Sequence, residues 1–139
     1  MITIIDYGMG NLGSIQNMFK RIGAASEITG EIEKIASATK LLLPGVGAFD
    51  AAMTRIAESG IFEILNKKVV EDQTPVLGIC LGMQLLTRSS EEGKLPGLGW
   101  VNARTIRFSF PQHTVLKVPH MGWNRVNEAN KSQLTRDLP

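Results

Sequence analysis

The sequence predicts an α/β fold, built as an open, mostly parallel sheet flanked by helices. Through the first hundred residues, short apolar runs alternate with stretches of helical periodicity, which is typical of parallel α/β proteins. After Trp100 the apolar residues alternate with polar ones, which indicates an antiparallel C-terminal extension. The length of 139 residues suits one domain, so we expect residues 1–139 to form a single domain.

Glycine and proline punctuate the apolar runs and set the predicted elements. Four runs are predicted as parallel strands, the last of them fully apolar and central in the sheet: residues 2–5, 27–29, 40–43 and 76–79. The periodicity predicts helices over residues 14–22, 31–38, 48–59, 61–70 and 81–89. The first is expected to begin with Ser14 as its N-cap and to stop at Gly23. Two antiparallel strands are expected at 100–108 and 114–118, joined by a turn at 111–112.

Composition and charge exclude several classes of protein. Hydrophobic residues make up 43% and charged residues 20% of the chain, enough for one core and too apolar for a disordered chain. The net charge of +2 is scattered and forms no basic stripe for nucleic acid. No apolar run could span a membrane, and the first residues lack the features of a signal peptide. Because the single cysteine cannot form an internal disulfide, we expect a cytoplasmic protein.

Cys80 is the strongest candidate for chemistry. It is the middle residue of the segment GICLG at 78–82, between a predicted strand and a predicted helix. Glycines on both sides of a nucleophile are typical of a nucleophile elbow, where larger side chains would collide. Such a turn exposes the nucleophile at the carboxyl edge of the sheet and offers the N–H of Leu81 to an oxyanion. We predict that Cys80 is a catalytic nucleophile; the alternative is a buried cysteine that packs as a small hydrophobe.

Two other glycine-rich loops follow predicted strands. The segment PGVG at 44–47 could turn backbone N–H groups toward a ligand and complete an oxyanion hole, or could be a plain strand-to-helix turn. The segment GMGNLG at 8–13 matches the dinucleotide pattern G-x-G-x-x-G. That pattern needs an acidic residue at the end of the second strand, whereas this strand ends at Thr29, and Asp6 would repel a pyrophosphate. We therefore favour a tight structural turn over a nucleotide site.

Four segments, taken in order along the chain, point to one family. They are DYGMGN at 6–11, LPGVG at 43–47, GICLGMQL at 78–85 and PHMGWN at 119–124. Together they resemble the glutamine amidotransferase subunit of imidazole glycerol phosphate synthase. The cysteine turn alone resembles class I, triad-type glutamine amidotransferases, and the first and last segments narrow the resemblance to the histidine-pathway branch. The resemblance implies a class I amidotransferase fold with flavodoxin-like layering.

The resemblance implies a role for each matching residue. Cys80 would attack the side-chain amide of glutamine and form a glutamyl thioester with release of ammonia. Three residues of two loops would form the oxyanion hole: Gly45, Val46 and Leu81. Three residues would hold the glutamine: Gln84, Glu92 and Gly47. Glu91 is the alternative to Glu92, because the two are adjacent. The family uses no metal and no organic cofactor.

The resemblance also implies a partner, a cyclase subunit with a (βα)₈ barrel, in a heterodimer. Ammonia would pass into that barrel without meeting water. The residues expected at the interface are Asn11, His120, Met121, Trp123 and Asn124. Met121 and Trp123 alternate with polar residues, and an exposed aromatic side chain suits a partner surface. The alternative is that Trp123 packs under the sheet.

The chain departs from the family in the rest of the triad. The family uses a His-x-Glu pair near its C-terminus, whereas His113 and His120 are followed two positions on by Val115 and Gly122. We expect the chain to be truncated at its C-terminus and to have little glutaminase activity, because a thiol without a base is a poor nucleophile. Three alternatives stay open: His113 as a substitute base, a catalytically dead partner-binding subunit, or a paralogous subunit that supplies ammonia for surface nitrogen-sugar synthesis.

Overall fold

The structure, a computed structural model, describes residues 1–111, 118–129, 132 and 135. Two compact units divide the chain, Met1–Arg107 and Phe108–Pro139. All helices and strands of the described residues lie in the first unit. The expectation of a single domain over residues 1–139 stays a prediction.

A four-stranded parallel sheet forms the centre of the first unit. Its strands are β1 (Ile2–Ile5), β2 (Ser26–Thr29), β3 (Leu41–Leu43) and β4 (Val76–Gly78), in the order β2-β1-β3-β4. Apolar residues face one another across it: Ile4 lies opposite Ile28 and Leu42, and Leu42 lies opposite Leu77. The predicted parallel α/β sheet is confirmed, and its strand ends differ from the prediction by at most one residue.

The predicted central position of the fourth strand is wrong for the described chain. β4 pairs only with β3 among the described residues and lies at the edge of the sheet. Leu77 is 43% exposed, and Ile79 is exposed as well. An all-apolar strand indicates burial on both faces, but the pattern does not say which segments cover those faces.

The helices follow the predicted order with shorter bounds. They are α1 (Leu12–Arg21), α2 (Ile32–Ser37), α3 (Phe49–Glu58), α4 (Phe62–Asn66) and α5 (Leu81–Leu85). The turn Lys67–Glu71 continues α4 in π-helical form. The prediction that the last helix extends to residue 89 is wrong, because the chain turns at Leu86. In the described residues, no helix has both the length and the apolar character needed to cross a membrane.

The ends of α1 show how local sequence sets a helix. Asn11, not Ser14, is the N-cap: its Oδ1 accepts the N–H of Ser14 at 3.3 Å, as short polar side chains do at helix starts. At the other end Gly23 donates to Lys20 and Ala24 donates to Phe19. This pair of bonds around a left-handed glycine is a Schellman motif, so the predicted stop at Gly23 is confirmed.

The core lies between the sheet and helices α2 to α5. It includes Ile5 and Leu43 from the strands and Ile35, Phe49, Ile56, Leu65 and Leu85 from the helices. Leu81 and Leu85, the first and last residues of α5, are both part of this core. The other face carries Ile4 and Leu42, which are also buried.

The predicted antiparallel strand over residues 100–108 does not form. Residues 88–91 and 103–105 make a few backbone hydrogen bonds, such as Arg88 to Ala103 at 3.0 Å and Thr105 to Ser89 at 2.9 Å. Only an isolated bridge results, between Ser90 and Thr105. The chain turns at Gly93, which donates to Ser90, so the paired stretch is too short for a ladder. Residues 114–117 of the other predicted strand lie outside the described residues.

Candidate active site

Cys80 occupies a strained turn between β4 and α5. Its φ is 54° and its ψ is −119°, a region that residues other than glycine rarely adopt. Strain of this kind costs about 1–3 kcal/mol and is concentrated at functional sites. The turn is anchored on both sides: Ile79 donates to Leu43 at 3.1 Å, and Met83 donates to Cys80 at 3.0 Å. The side chain is exposed, so the expected strained and accessible turn is confirmed; the catalytic role of Cys80 stays a prediction.

The two glycines that flank Cys80 are needed for different reasons. A Cβ at Gly78 would lie 2.7 Å from the carbonyl oxygen of Gly82, which is a collision within the turn. A Cβ at Gly82 would instead overlap the carbonyl oxygen of Leu43 at the end of β3. The turn itself requires Gly78, and packing against the neighbouring strand requires Gly82.

The loop 44–47 packs against the start of α5. A Cβ at Gly45 would lie 2.6 Å from the N of Gly82 and 2.8 Å from the Cβ of Leu81. The structure therefore brings together the two backbone segments that were predicted to form an oxyanion hole. In residues 1–107 the N–H groups of Gly45, Val46 and Leu81 donate to no protein acceptor. Unpaired N–H groups beside a nucleophile are what an oxyanion hole requires.

The turn at the end of β1 supports loop 44–47 from the other side. Tyr7 Oη donates to the carbonyl oxygen of Pro44 at 2.6 Å in a buried position. Burial raises the pKa of Tyr7 to about 12. A Cβ at Gly47 would lie 3.2 Å from Met9 Cε, so the two loops are also in apolar contact. Tyr7 was missed in the sequence, although a lone polar aromatic after a buried strand is a signal for such a contact.

The segment 8–13 forms a tight turn, as expected. Asp6 Oδ1 accepts the N–H of Gly8 at 2.9 Å, and the side chain of Asn11 is bonded to Ser14 in the N-cap of α1. A carboxylate therefore occupies the N–H of the first glycine of the pattern, at the end of β1 where a dinucleotide site would receive a pyrophosphate.

The predicted glutamine-holding side chains lie together. Gln84 Nε2 donates to Glu92 Oε2 at 3.1 Å, and Ser90 Oγ donates to Gln84 Oε1 at 2.9 Å. Glu91 instead accepts the N–H of Arg107 at 2.9 Å. The geometry thus favours Glu92 over its neighbour. Ser90 was missed, although serine two residues before Glu92 is the pattern of a side-chain turn.

Asp50 holds the loop that carries Glu92. Its carboxylate accepts the N–H of Lys94 at 2.8 and 3.0 Å and the N–H of Leu95 at 2.9 Å. Gly93 leaves room for this contact, since a Cβ there would overlap Asp50 Oδ1. Asp50 was also missed; the available signal was an acidic residue in the first turn of the helix after PGVG.

The interface candidates of the second unit lie in irregular chain. Asn124 Nδ2 and His120 Nε2 are 2.5 Å apart. Met121 is exposed and Trp123 is fully exposed, at 104%; the alternative in which Trp123 packs under the sheet stays open. Their interface role stays a prediction, as does that of Asn11. His113, the substitute base considered above, lies outside the described residues.

The unit that carries Cys80 contains no histidine, because both histidines follow Arg107. Among the described residues, no group of three His, Cys, Asp or Glu side chains could hold a metal ion. The unit thus places the unpaired N–H groups of loop 44–47 against the start of α5, while a histidine base for the thiol is not part of the unit.

Comparison with known proteins gives the family. Residues 3–139 match the class-I glutamine amidotransferase family. The chain is 57% identical over 138 residues to imidazole glycerol phosphate synthase subunit HisH 2 of Methanococcus maripaludis, with 99% of this chain and 67% of that protein covered. It is 49% identical over 139 residues to the HisH subunit of Bdellovibrio bacteriovorus, with 99% and 68% covered.

The chain therefore spans about two thirds of the length of these relatives. A crystal structure of a glutamine amidotransferase has the same fold, with a TM-score of 0.66 at 22% identity, over 81% of this chain and 60% of that one. The matched residues and the identity together show that the chain belongs to the class-I glutamine amidotransferases, in the branch of the HisH subunits of imidazole glycerol phosphate synthase.

Proposed function

We propose that the protein is the ammonia-supplying glutaminase subunit of imidazole glycerol phosphate synthase in histidine biosynthesis. The observation that carries the proposal is the exposed Cys80 at positive φ on the turn between β4 and α5. The unpaired N–H groups of loop 44–47 and the Gln84–Glu92 pair support it, since an oxyanion hole needs such N–H groups and an amino-acid substrate suits such a pair.

The proposed reaction proceeds by a covalent intermediate. The sulfur of Cys80 bonds to the amide carbon of glutamine, and the oxygen takes up negative charge beside the N–H groups of Val46 and Leu81. The carbon–nitrogen bond then breaks, and ammonia leaves with the proton that the thiol gave up. Water attacks the thioester, which yields glutamate and the free thiol. Glu92 attracts the ammonium group of the substrate, and Gly47 borders the bound glutamine.

The partner in this proposal is a cyclase subunit with a (βα)₈ barrel. The two subunits form a heterodimer in the cytoplasm, and the step that forms the product of the synthase is a lyase reaction. Exposed aromatic and apolar side chains suit such an interface, and Met121 and Trp123 are both exposed. Ammonia would pass from the Cys80 side to the barrel. The relatives are named as subunits of this synthase, which supports the same partner.

Labelling of Cys80 tests the proposal directly. In the complex with the cyclase subunit, a diazoketone analogue of glutamine should add to the protein, and L-glutamine, but not D-glutamine, should slow the addition. Because Cys80 is the only cysteine, the intact mass reports this site, and the Cys80→Ala variant should not be labelled. If Cys80 reacts with iodoacetamide but not with the glutamine analogue, the proposal is contradicted and a catalytically dead subunit is favoured.

Turnover tests whether a group in these 139 residues takes the proton of the thiol. We predict that glutamine hydrolysis by this chain, with the cyclase subunit and its nucleotide ligand present, is about 10²–10⁴ times slower than that of the Methanococcus maripaludis relative. General-base catalysis contributes a factor of this size. The two proteins are assayed side by side for glutamate release. Equal rates would show that a group in this chain or its partner takes the proton.

A further inference from the structure

Ser90 is a buried hydroxyl in a loop of exposed residues. Its exposure is 5%, whereas Glu91 and Glu92 on its C-terminal side are exposed. The segment is fixed by backbone bonds on both sides, since Thr105 donates to Ser89 at 2.9 Å and Glu91 donates to Thr105 at 3.0 Å. The proposed reaction gives Ser90 no role, so it does not explain why this hydroxyl is buried.

The hydroxyl of Ser90 closes a ring of three hydrogen bonds. Ser90 Oγ donates to Gln84 Oε1 at 2.9 Å and accepts the backbone N–H of Glu92 at 3.1 Å. Gln84 Nε2 completes the ring by donating to Glu92 Oε2 at 3.1 Å. The single proton of the hydroxyl and one of its lone pairs are both used.

The ring fixes which way the Gln84 amide faces. A backbone N–H occupies a lone pair of Ser90 Oγ, so the hydroxyl proton is directed to an acceptor, which is Gln84 Oε1. The ionised Glu92 can only accept, so it takes Nε2. Without the hydroxyl, the amide could rotate by half a turn about its last bond and present its oxygen to the carboxylate.

The same ring leaves one carboxylate oxygen available. In residues 1–107, Glu92 Oε2 is bonded to Gln84 and no donor contacts Oε1. A carboxylate held at one oxygen and open at the other suits the ammonium group of an amino acid, and charge-assisted bonds of this kind are strong when the geometry is fixed.

We propose that Ser90 is a positioning residue of the glutamine site: it locks the Gln84 amide and the Glu92 carboxylate in one arrangement and thereby sets the affinity for the substrate. The proposal rests on the proposed function, because it takes glutamine to be the substrate that binds at this ring of hydrogen bonds. Ser90 acts through its two partners and does not touch the reacting atoms at Cys80.

The test compares two adjacent serines. Ser90→Ala removes the ring hydroxyl, while Ser89→Ala is the matched control, because the Ser89 side chain makes no hydrogen bond within the described residues. The readout is the concentration of L-glutamine that halves the rate of Cys80 alkylation by the glutamine analogue, in the complex with the cyclase subunit. We expect this concentration to rise about tenfold in Ser90→Ala and to stay unchanged in Ser89→Ala.

A second pair of variants and a spectroscopic signal separate positioning from folding. Ser90→Thr and Ser90→Val add the same volume and differ in the hydroxyl, so Thr should retain the affinity and Val should lose it. In protein labelled with ¹⁵N at glutamine side chains, the NMR chemical shifts of the two Gln84 amide protons should move toward those of a free amide in Ser90→Val and not in Ser90→Thr.

The outcomes distinguish the two proposals. Equal protection by glutamine in the wild type, Ser90→Ala and Ser90→Val would overturn the role of Ser90 and leave the proposed function standing. No protection by glutamine even in the wild type would overturn the proposed function, and with it the assignment of the ring to glutamine. An unchanged Gln84 signal in Ser90→Val would overturn the role of Ser90 whatever the protection.

Discussion

At the scale of single residues, the hydroxyl of Tyr7 joins the turn after β1 to loop 44–47. It donates to Pro44 from a buried position, and burial raises its pKa to about 12. The protonated phenol is therefore stabilised in the folded state. This contact holds the loop whose Gly45 packs against the first turn of α5, so a residue remote in sequence from Cys80 supports its surroundings.

The raised pKa of Tyr7 gives stability a defined pH dependence. Between about pH 10 and 12 the unfolded chain loses the phenol proton and the folded chain keeps it. The free energy of unfolding should thus be unaffected below about pH 10 and fall as the pH rises through this window. Tyr7 is the only tyrosine, so phenolate absorbance follows it alone: half-ionisation is expected near 12 when folded and near 10 in urea.

The control for Tyr7 is its phenylalanine variant. Tyr7→Phe should be less stable at pH 8 by about 1 kcal/mol, because the buried Pro44 carbonyl loses its partner. Its stability should no longer respond to phenol ionisation. Native phenolate absorbance that rises already at pH 10 would contradict the burial of the Tyr7 phenol.

Gly82 gives a second test at this scale. Gly82→Ala should lower the free energy of unfolding by about 1–3 kcal/mol, since the added Cβ overlaps the carbonyl oxygen of Leu43 and overpacking costs this much. Gly13→Ala is the matched control: Gly13 lies in α1 with open space around it, so alanine should stabilise by about 0.5 kcal/mol. Urea unfolding measures both. A neutral Gly82→Ala would mean that α5 does not pack on the end of β3 as described.

At the scale of elements, the candidate site is assembled from strand ends and the loops that follow them. β1, β3 and β4 each lead into one of the segments that meet near Cys80. The carboxyl ends of parallel strands lie at one edge of the sheet, which is where α/β proteins bind ligands. The loop with Glu92 is the exception: it comes after α5 and is held in place by Asp50 of α3.

Removal of the Asp50 carboxylate should release that loop. In Asp50→Ala the amides of Lys94 and Leu95 should exchange with solvent at least tenfold faster, because both donate to Asp50. The protein should be destabilised by about 1–2 kcal/mol. Glu58→Ala lies at the exposed end of the same helix. It should leave the exchange of both amides unchanged and should change the free energy of unfolding by no more than about 0.5 kcal/mol. Unchanged exchange at both amides in Asp50→Ala would contradict the hydrogen bonds from Lys94 and Leu95 to Asp50.

At the scale of the whole molecule, the sheet of the first unit ends in an apolar edge. Among the described residues β4 pairs on one side only, and Leu77 beside that edge is 43% exposed. An unpaired strand edge with exposed apolar side chains is a template for association with another chain. We therefore expect the isolated polypeptide to self-associate through β4 when no partner is present.

A charge at β4 should reduce self-association. We expect Leu77→Lys to shift the sedimentation of the isolated chain toward the monomer, since lysine at an edge strand opposes pairing. Val70→Lys replaces an apolar residue of similar exposure on the π-helical turn and should have a much smaller effect. If the isolated chain is a monomer at concentrations near 100 μM, the order of magnitude at which exposed edges associate, the edge is not a site of association.

The sequence by itself determined the features that short segments encode. Strand positions, the parallel sheet, the stop at Gly23 and the strained turn of Cys80 all followed from apolar periodicity and glycine spacing. These patterns act locally, because they restrict the backbone angles and the faces of a few consecutive residues. The same segments also sufficed to indicate the amidotransferase family.

Only the tertiary structure decided how distant segments meet. It placed β4 at the edge of the described sheet, put Glu92 and not Glu91 beside Gln84, and showed Ser90, Asp50 and Tyr7 in contacts that no local pattern specified. The physical reason is that a hydrogen bond or a collision across many residues depends on how the elements pack. The Cys80 turn could thus be predicted from five consecutive residues, while the groups around it could be identified only once the sheet and its loops were assembled.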